Sequence, residues 1–132
     1  MPVPKGIPTL AATVNVDAAT RDGPGISSES IYLSENAMSI TTQVDIDIFP
    51  LASQVNVSVW GTLDGENYFL PVGAGASIPP SPGGIPPTGP GEPPPVATCI
   101  PPATGPFGGN FQAFAVNYDE IPHTLWFWVL YE

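Results

Sequence analysis

From residue 39 to residue 49 the chain reads as a strand with apolar residues recurring at every second position save one. Ile40, Val44, Ile46 and Ile48 share one parity, and Thr41, Gln43, Asp45 and Asp47 share the other. Successive side chains of a strand point to opposite faces, so this pattern specifies a β-strand with one dry face and one wet face. The same period recurs along the chain. Val55, Val57 and Val59 oppose Asn56, Ser58 and Trp60, and Phe111, Ala113 and Ala115 oppose Gln112, Phe114 and Val116. Residues 12–17 alternate as well, residues 30–33 form a short strand candidate, and residues 123–131 form the last strand. Phe49-Pro50 closes the longest run, because proline cannot donate to the next rung. Asp64-Gly65 marks a tight turn, with the return strand of a hairpin at residues 68–72. Seven to eight short strands separated by turn signals imply an all-β fold: an antiparallel β-sandwich, jelly-roll-like, in a single domain spanning residues 1–132.

One segment resists that pattern. Residues 77–106, SIPPSPGGIPPTGPGEPPPVATCIPPATGP, contain twelve prolines and five glycines. Proline lacks the donor that helices and central strands need, and the segment is too poor in apolar side chains to fold alone. It is expected to be a proline-rich insertion or arm. In polyproline II geometry thirty residues span up to roughly 90 Å, at about 3.1 Å each, which is enough to cross a neighbouring subunit. Residues 1–10 form a second extended arm. Pro79, Pro86, Pro94 and Pro101 are therefore candidate interface residues.

The last strand, HTLWFWVLYE, is apolar on both faces. Leu125, Phe127, Val129 and Tyr131 lie on one side, and Trp126, Trp128 and Leu130 on the other. A strand with one wet face alternates apolar with polar, so the Trp126–Trp128 face calls for a cover. Either the proline-rich segment or a neighbouring subunit can supply it.

Charge narrows the functional classes. Twelve acidic residues face only Lys5 and Arg21, a formal charge of −10, yet only 11% of residues are charged. Nothing neutralises a run of phosphates or docks on anionic lipid, so neither nucleic acid nor membrane is expected as a partner. The opening MPVPKGIPTL has no basic-then-apolar leader pattern and no 18-residue apolar run occurs, so the expectation is a chain made in the cytoplasm without a signal peptide. Cys99 is the single cysteine and excludes an internal disulfide.

Catalytic and cofactor signals are sparse, and no cofactor and no enzyme activity are expected. His123 is the only histidine, and its place beside Ile121-Pro122 reads as a plain surface or strand-end residue. Nucleophile-elbow, phosphate-loop and zinc-type patterns are absent from the sequence. Asp45 and Asp47 point the same way from one strand, as half of a calcium site or as a solvated polar face. Trp60, with Tyr32 and Tyr68, is a possible ligand platform for stacking on carbohydrate, or else part of the core.

Residues 57–70, VSVWGTLDGENYFL, resemble a hairpin of small β-sandwich proteins in tailed-phage virions, whose pattern runs V-x-V-x-G-S-x-D-G-x-N followed by an aromatic residue. Many of these are capsid decoration (cement) proteins, and others build tail parts. The resemblance implies a bacteriophage virion structural protein that binds a major capsid protein or other shell protein and reinforces the lattice. It also implies a homo-oligomer, often a trimer, located in the virion. The proline-rich insertion and the strongly aromatic last strand depart from that pattern. Two other readings stand beside it: a carbohydrate-binding module using Trp60, Tyr32 and Asp45/Asp47, and the subunit of an extracellular filament completed through the N-terminal arm.

Overall fold

The structure is a computed structural model and describes residues 2–17, 25–62, 67–72, 75–80, 96–107 and 109–132. Ten strands are described: β1 (Thr9–Val16), β2 (Ile26–Ser27), β3 (Ile31–Tyr32), β4 (Ala37–Ile46), β5 (Val55–Thr62), β6 (Tyr68–Pro71), β7 (Ala76–Ile78), β8 (Val96–Phe107), β9 (Asn110–Asn117) and β10 (His123–Tyr131). Eight have three residues or more, and β2 and β3 are two-residue pieces on one sheet edge. Among the described residues there is no helix.

The strands form two antiparallel sheets, and the chain is a β-sandwich. The first sheet has the order β1-β10-β4-β8. In the second, β9 and β5 are the inner strands, with β2 and β3 on the outer side of β9 and β6 and β7 on the outer side of β5. The alternation seen in the sequence is the in-and-out pattern of these strands. Val55, Val57 and Val59 of β5, Phe111, Ala113 and Ala115 of β9, Ile40, Val44 and Ile46 of β4, and Leu125, Phe127, Val129 and Tyr131 of β10 are all buried in one core. Thr42 joins them on the inward row of β4.

Two expected arms are described in part. Of the proline-rich insertion or arm expected at 77–106, residues 81–95 lie outside the described residues and the two ends pair within the chain. Ala76–Ile78 pairs with β5, and Val96–Phe107 lies along β4 as a sheet edge. An edge is where a strand tolerates proline, since its outer donors are not needed. Three register shifts let the twelve residues of β8 accompany β4 from Ala37 to Asp45. At one of them Ile40 pairs with Ala103 and Thr42 with Ile100, so Pro101 and Pro102 together oppose Thr41 in a bulge. Pro79 is exposed just beyond β7, whereas Pro86 and Pro94 lie outside the described residues. Pro101 is thus a sheet-edge residue of its own chain.

The extended arm expected at residues 1–10 is described from residue 2 and makes contacts with its own chain. Val3 is buried and bridges Leu33, its N–H donating to Tyr32 O at 2.7 Å. Its carbonyl accepts from Ser34 N at 3.0 Å and from the Tyr131 hydroxyl at 2.7 Å. Gly6, at φ 74°, donates to Tyr131 O at 2.9 Å. These bonds fasten the start of the chain to the end of β10, and β1 follows directly from Thr9.

Candidate functional site

Three places concentrate side chains with chemistry, and each follows from a strand end or an outward row. The first is a buried corner where the β4–β5 connection meets the β9–β10 turn. His123, the first residue of β10, stands at a strand end, one of the two positions expected of it, and is buried there instead of lying on the surface. Its Nε2 lies 2.8 Å from Asp119 Oδ2 and its Nδ1 lies 3.3 Å from Asp47 Oδ1. Carboxylate oxygens accept and cannot donate, so a ring nitrogen that carries hydrogen donates to the carboxylate it faces.

Asp119 is the hub of this corner. Its carboxylate accepts backbone N–H bonds from Leu51 at 3.0 Å, Ala52 at 2.9 Å and Ser53 at 3.2 Å. Burial opposes its charge. The Leu51 N–H, the His123 ring and the N–H groups of Ala52 and Glu120 outweigh that cost, and they hold the carboxyl well below the usual carboxylate range. Asn117 Oδ1 accepts from Asp119 N at 2.9 Å, and Asn117 Nδ2 donates to Ile121 O at 2.8 Å, which fixes the turn. Both ring nitrogens of His123 face carboxylates, and the side chain has 0% exposure. One hydrogen-bonded cluster closes one end of the sandwich.

The second place is the outer face of the first sheet. Asp45 and Asp47 do not act together. Asp47 lies beyond the end of β4, donates its backbone N–H to Thr124 O at 3.1 Å and turns its carboxylate to His123. Asp45 stays on the outer row, only 5% exposed, and accepts from Trp128 Nε1 at 3.0 Å and from Gln43 Nε2 at 3.0 Å. Among the described residues no group of three or more histidine, cysteine or acidic side chains is placed to hold a metal ion. Asp45 and Asp47, weighed as half of a calcium site or as a solvated polar face, are divided between an indole bond and a histidine bond. Beside Asp45, the outward row of the inner strand β10 presents Trp126, Trp128 and Leu130, each half-buried. Trp126 is paired across the sheet with Thr13 and Asp45, and Trp128 with Leu10 and Gln43. Leu10 is itself exposed.

The third place is the outer face of the second sheet. Trp60, Tyr68 and Phe114 line a hollow of about 320 Å³ together with Ser27 and Gln112. Of the residues weighed as a platform or as core, Trp60 and Tyr68 line this outward hollow together. Tyr32 is not among its lining residues and stands 55% exposed at the end of β3, while Asp45 belongs to the other sheet. Phe114 and Gln112 were not singled out from sequence, although their outward parity on β9 was the available signal. A larger cleft of about 700 Å³ runs between β1 and the short edge strands β2 and β3, and among the described residues Tyr32 is its one aromatic wall residue.

Comparison of the chain with protein-family models, with curated proteins and with solved structures found no match in any of the three.

Proposed function

We propose that this protein is a virion structural component of the capsid decoration (cement) type, a non-enzymatic β-sandwich that binds a preformed protein shell and reinforces it. The observation that carries the reading is the outward row of β10. The outer row of an inner strand in an antiparallel sheet facing water is polar. Here Trp126, Trp128 and Leu130 occupy it, flanked by exposed Leu10. Two indoles and two leucines on one sheet face make an apolar surface suited to a protein partner, and tryptophan is the residue type that most often anchors such contacts.

Two further features support the reading. The segment that resembles the virion hairpin folds as one, with β5 and β6 antiparallel and Trp60 paired with Pro71. Its turn, residues 63–66, lies outside the described residues. The formal charge of −10 on a chain with two basic residues suits a partner surface that carries the lysines and arginines. The shell contact is assigned to this face and the homo-oligomer, a trimer by the resemblance, to contacts around it.

The test is cosedimentation with shells assembled from major capsid protein alone. The chain is expected to pellet with shells to a saturating ratio, and Trp126→Ala combined with Leu130→Ser is expected to abolish pelleting while circular dichroism stays that of the parent. These two changes leave the Asp45–Trp128 bond in place. Unchanged pelleting of the double variant would remove this face from the mechanism.

A further inference from the structure

We propose that the outer face of the second sheet is a binding site for a neutral carbohydrate, seated on Trp60, Tyr68 and Phe114 with hydrogen bonds from Gln112 and Ser27. The inference is independent of shell binding, because it concerns the opposite sheet.

The register sets the three rings in a diagonal. Trp60 of β5 pairs with Gln112 of β9 on one side and Pro71 of β6 on the other. Phe114 lies two residues along β9 and pairs with Ser58, while Tyr68 on β6 pairs with Thr62, two residues along β5. Diagonal cross-strand neighbours stand roughly 7–8 Å apart, so the rings step across β6, β5 and β9 on one face. Gln112 and Ser27 add an amide and a hydroxyl to the same hollow. A sugar ring has this composition: an apolar C–H face to lay on an aromatic ring, and an equator of hydroxyls that both donate and accept.

The rings are held in place before any ligand arrives. Trp60 Nε1 donates to Ser58 Oγ at 2.8 Å, which fixes the rotation of the indole. The Tyr68 hydroxyl donates to Asn110 Oδ1 at 2.7 Å and is bonded to Ser30 Oγ, also at 2.7 Å. Phe114 is seated over Gly25, whose φ of +77° and missing side chain leave room for the ring: a Cβ there would lie 2.7 Å from Phe114 Cζ. A platform ordered in advance loses little freedom on binding.

The same bonds separate sugar from other ligands that use aromatic faces. A polyproline helix offers only carbonyl acceptors, and the two aromatic donors that would meet them are already engaged by Ser58 and Asn110. Single-stranded nucleic acid stacks on rings but needs a basic groove for its phosphates. Among the described residues, the five that line the hollow are uncharged, in a chain of formal charge −10. That leaves a neutral polyol, and it disfavours acidic sugars.

The chain has three tryptophans, one on this face and two on the other sheet, so indole N–H signals in a nitrogen–proton correlation spectrum report the site directly. The probes are neutral oligosaccharides of glucose, galactose, mannose and N-acetylglucosamine, titrated to about 10 mM, together with a synthetic peptide of residues 84–96. At least one saccharide is expected to shift the Trp60 indole and the Gln112 amide saturably, with Kd on the order of 0.1–1 mM. The Trp126 and Trp128 signals should stay in place. Trp60→Ala is expected to weaken binding at least about thirtyfold, as loss of a central aromatic anchor does. Gln112→Ala, which keeps every ring, is expected to weaken it severalfold and guards against a folding defect in the first variant. The proposal is overturned if no saccharide moves the Trp60 signal, or if shifts appear only at Trp126 and Trp128. Saturable binding of the peptide alone would overturn it too, assigning the hollow to a polyproline ligand.

Discussion

Replacing Asp119 with alanine removes the acceptor for three backbone N–H groups and for the ring of a buried histidine. The cost can be worked bond by bond. Leu51 and Ala52 are exposed and Ser53 is half-buried, so water can reach the N–H groups of this loop when the carboxylate is gone. Each of those bonds then contributes only about 0.5–1 kcal/mol net. His123 has no such recourse, because its side chain and that of Asp119 are both 0% exposed. Breaking a buried pair by deleting one partner costs about 3–5 kcal/mol, with the loop bonds included in that range here. Urea denaturation of Asp119→Ala beside the parent checks the figure. With a slope of roughly 2 kcal/mol per molar, the midpoint should fall by about 2 M. The neighbouring exposed Glu120→Ala should change it by less than about 0.3 M, as a surface substitution does. A midpoint loss below about 0.5 M for Asp119→Ala would refute the view that this cluster closes the end of the sandwich.

Other outcomes follow from the same contacts. The Asp119 carboxyl sits below the ordinary aspartate value of about 3.9, so its contribution is fully present above that pH and is lost as pH falls below it; the parent should lose more stability between pH 5 and pH 3 than Asp119→Ala does, measured by urea midpoint at each pH. Gly25→Ala should destabilise by about 2 kcal/mol or more, since it forces a side chain into φ +77° and brings its Cβ to 2.7 Å from Ala115 O; thermal unfolding checks it. Trp128→Phe leaves the Asp45 carboxylate, 5% exposed, with Gln43 as its remaining side-chain donor. It should cost about 1.5–3 kcal/mol by thermal unfolding, while Trp126→Phe on the same row costs under about 1 kcal/mol.

The strands that could be read from sequence are those with one dry face. In β5, β9 and β10, and from Ile40 to Val44 in β4, burial selects every second residue, so a period of two is legible there. Strand β8 could not be read that way. Its prolines argue for a loop, and only the knowledge that it lies at a sheet edge, with bulges to absorb them, makes a strand of it. The corner around His123 was hidden for a different reason. Asp119 and His123 are four residues apart, but Asp47 lies 76 residues from His123 and Leu51 lies 68 from Asp119, so local spacing announces only one pair of the cluster. Shared parity suggested that Asp45 and Asp47 act together, but β4 ends at Ile46 and the chain turns before Asp47 is placed. Trp60 was put on the correct face by its opposition to the valines. Which rings join it depends on the strand order β2-β9-β5-β6, which periodicity does not contain.

Reinforcement of a shell is the central claim, and heating shells tests it most directly. Shells of major capsid protein, with and without saturating amounts of this chain, would be followed by light scattering and by dye access to their interior. The account predicts that decorated shells open at a temperature several degrees higher, and that Trp126→Ala with Leu130→Ser abolishes the difference. Shells that bind the chain to saturation yet open at the same temperature as bare ones would contradict it.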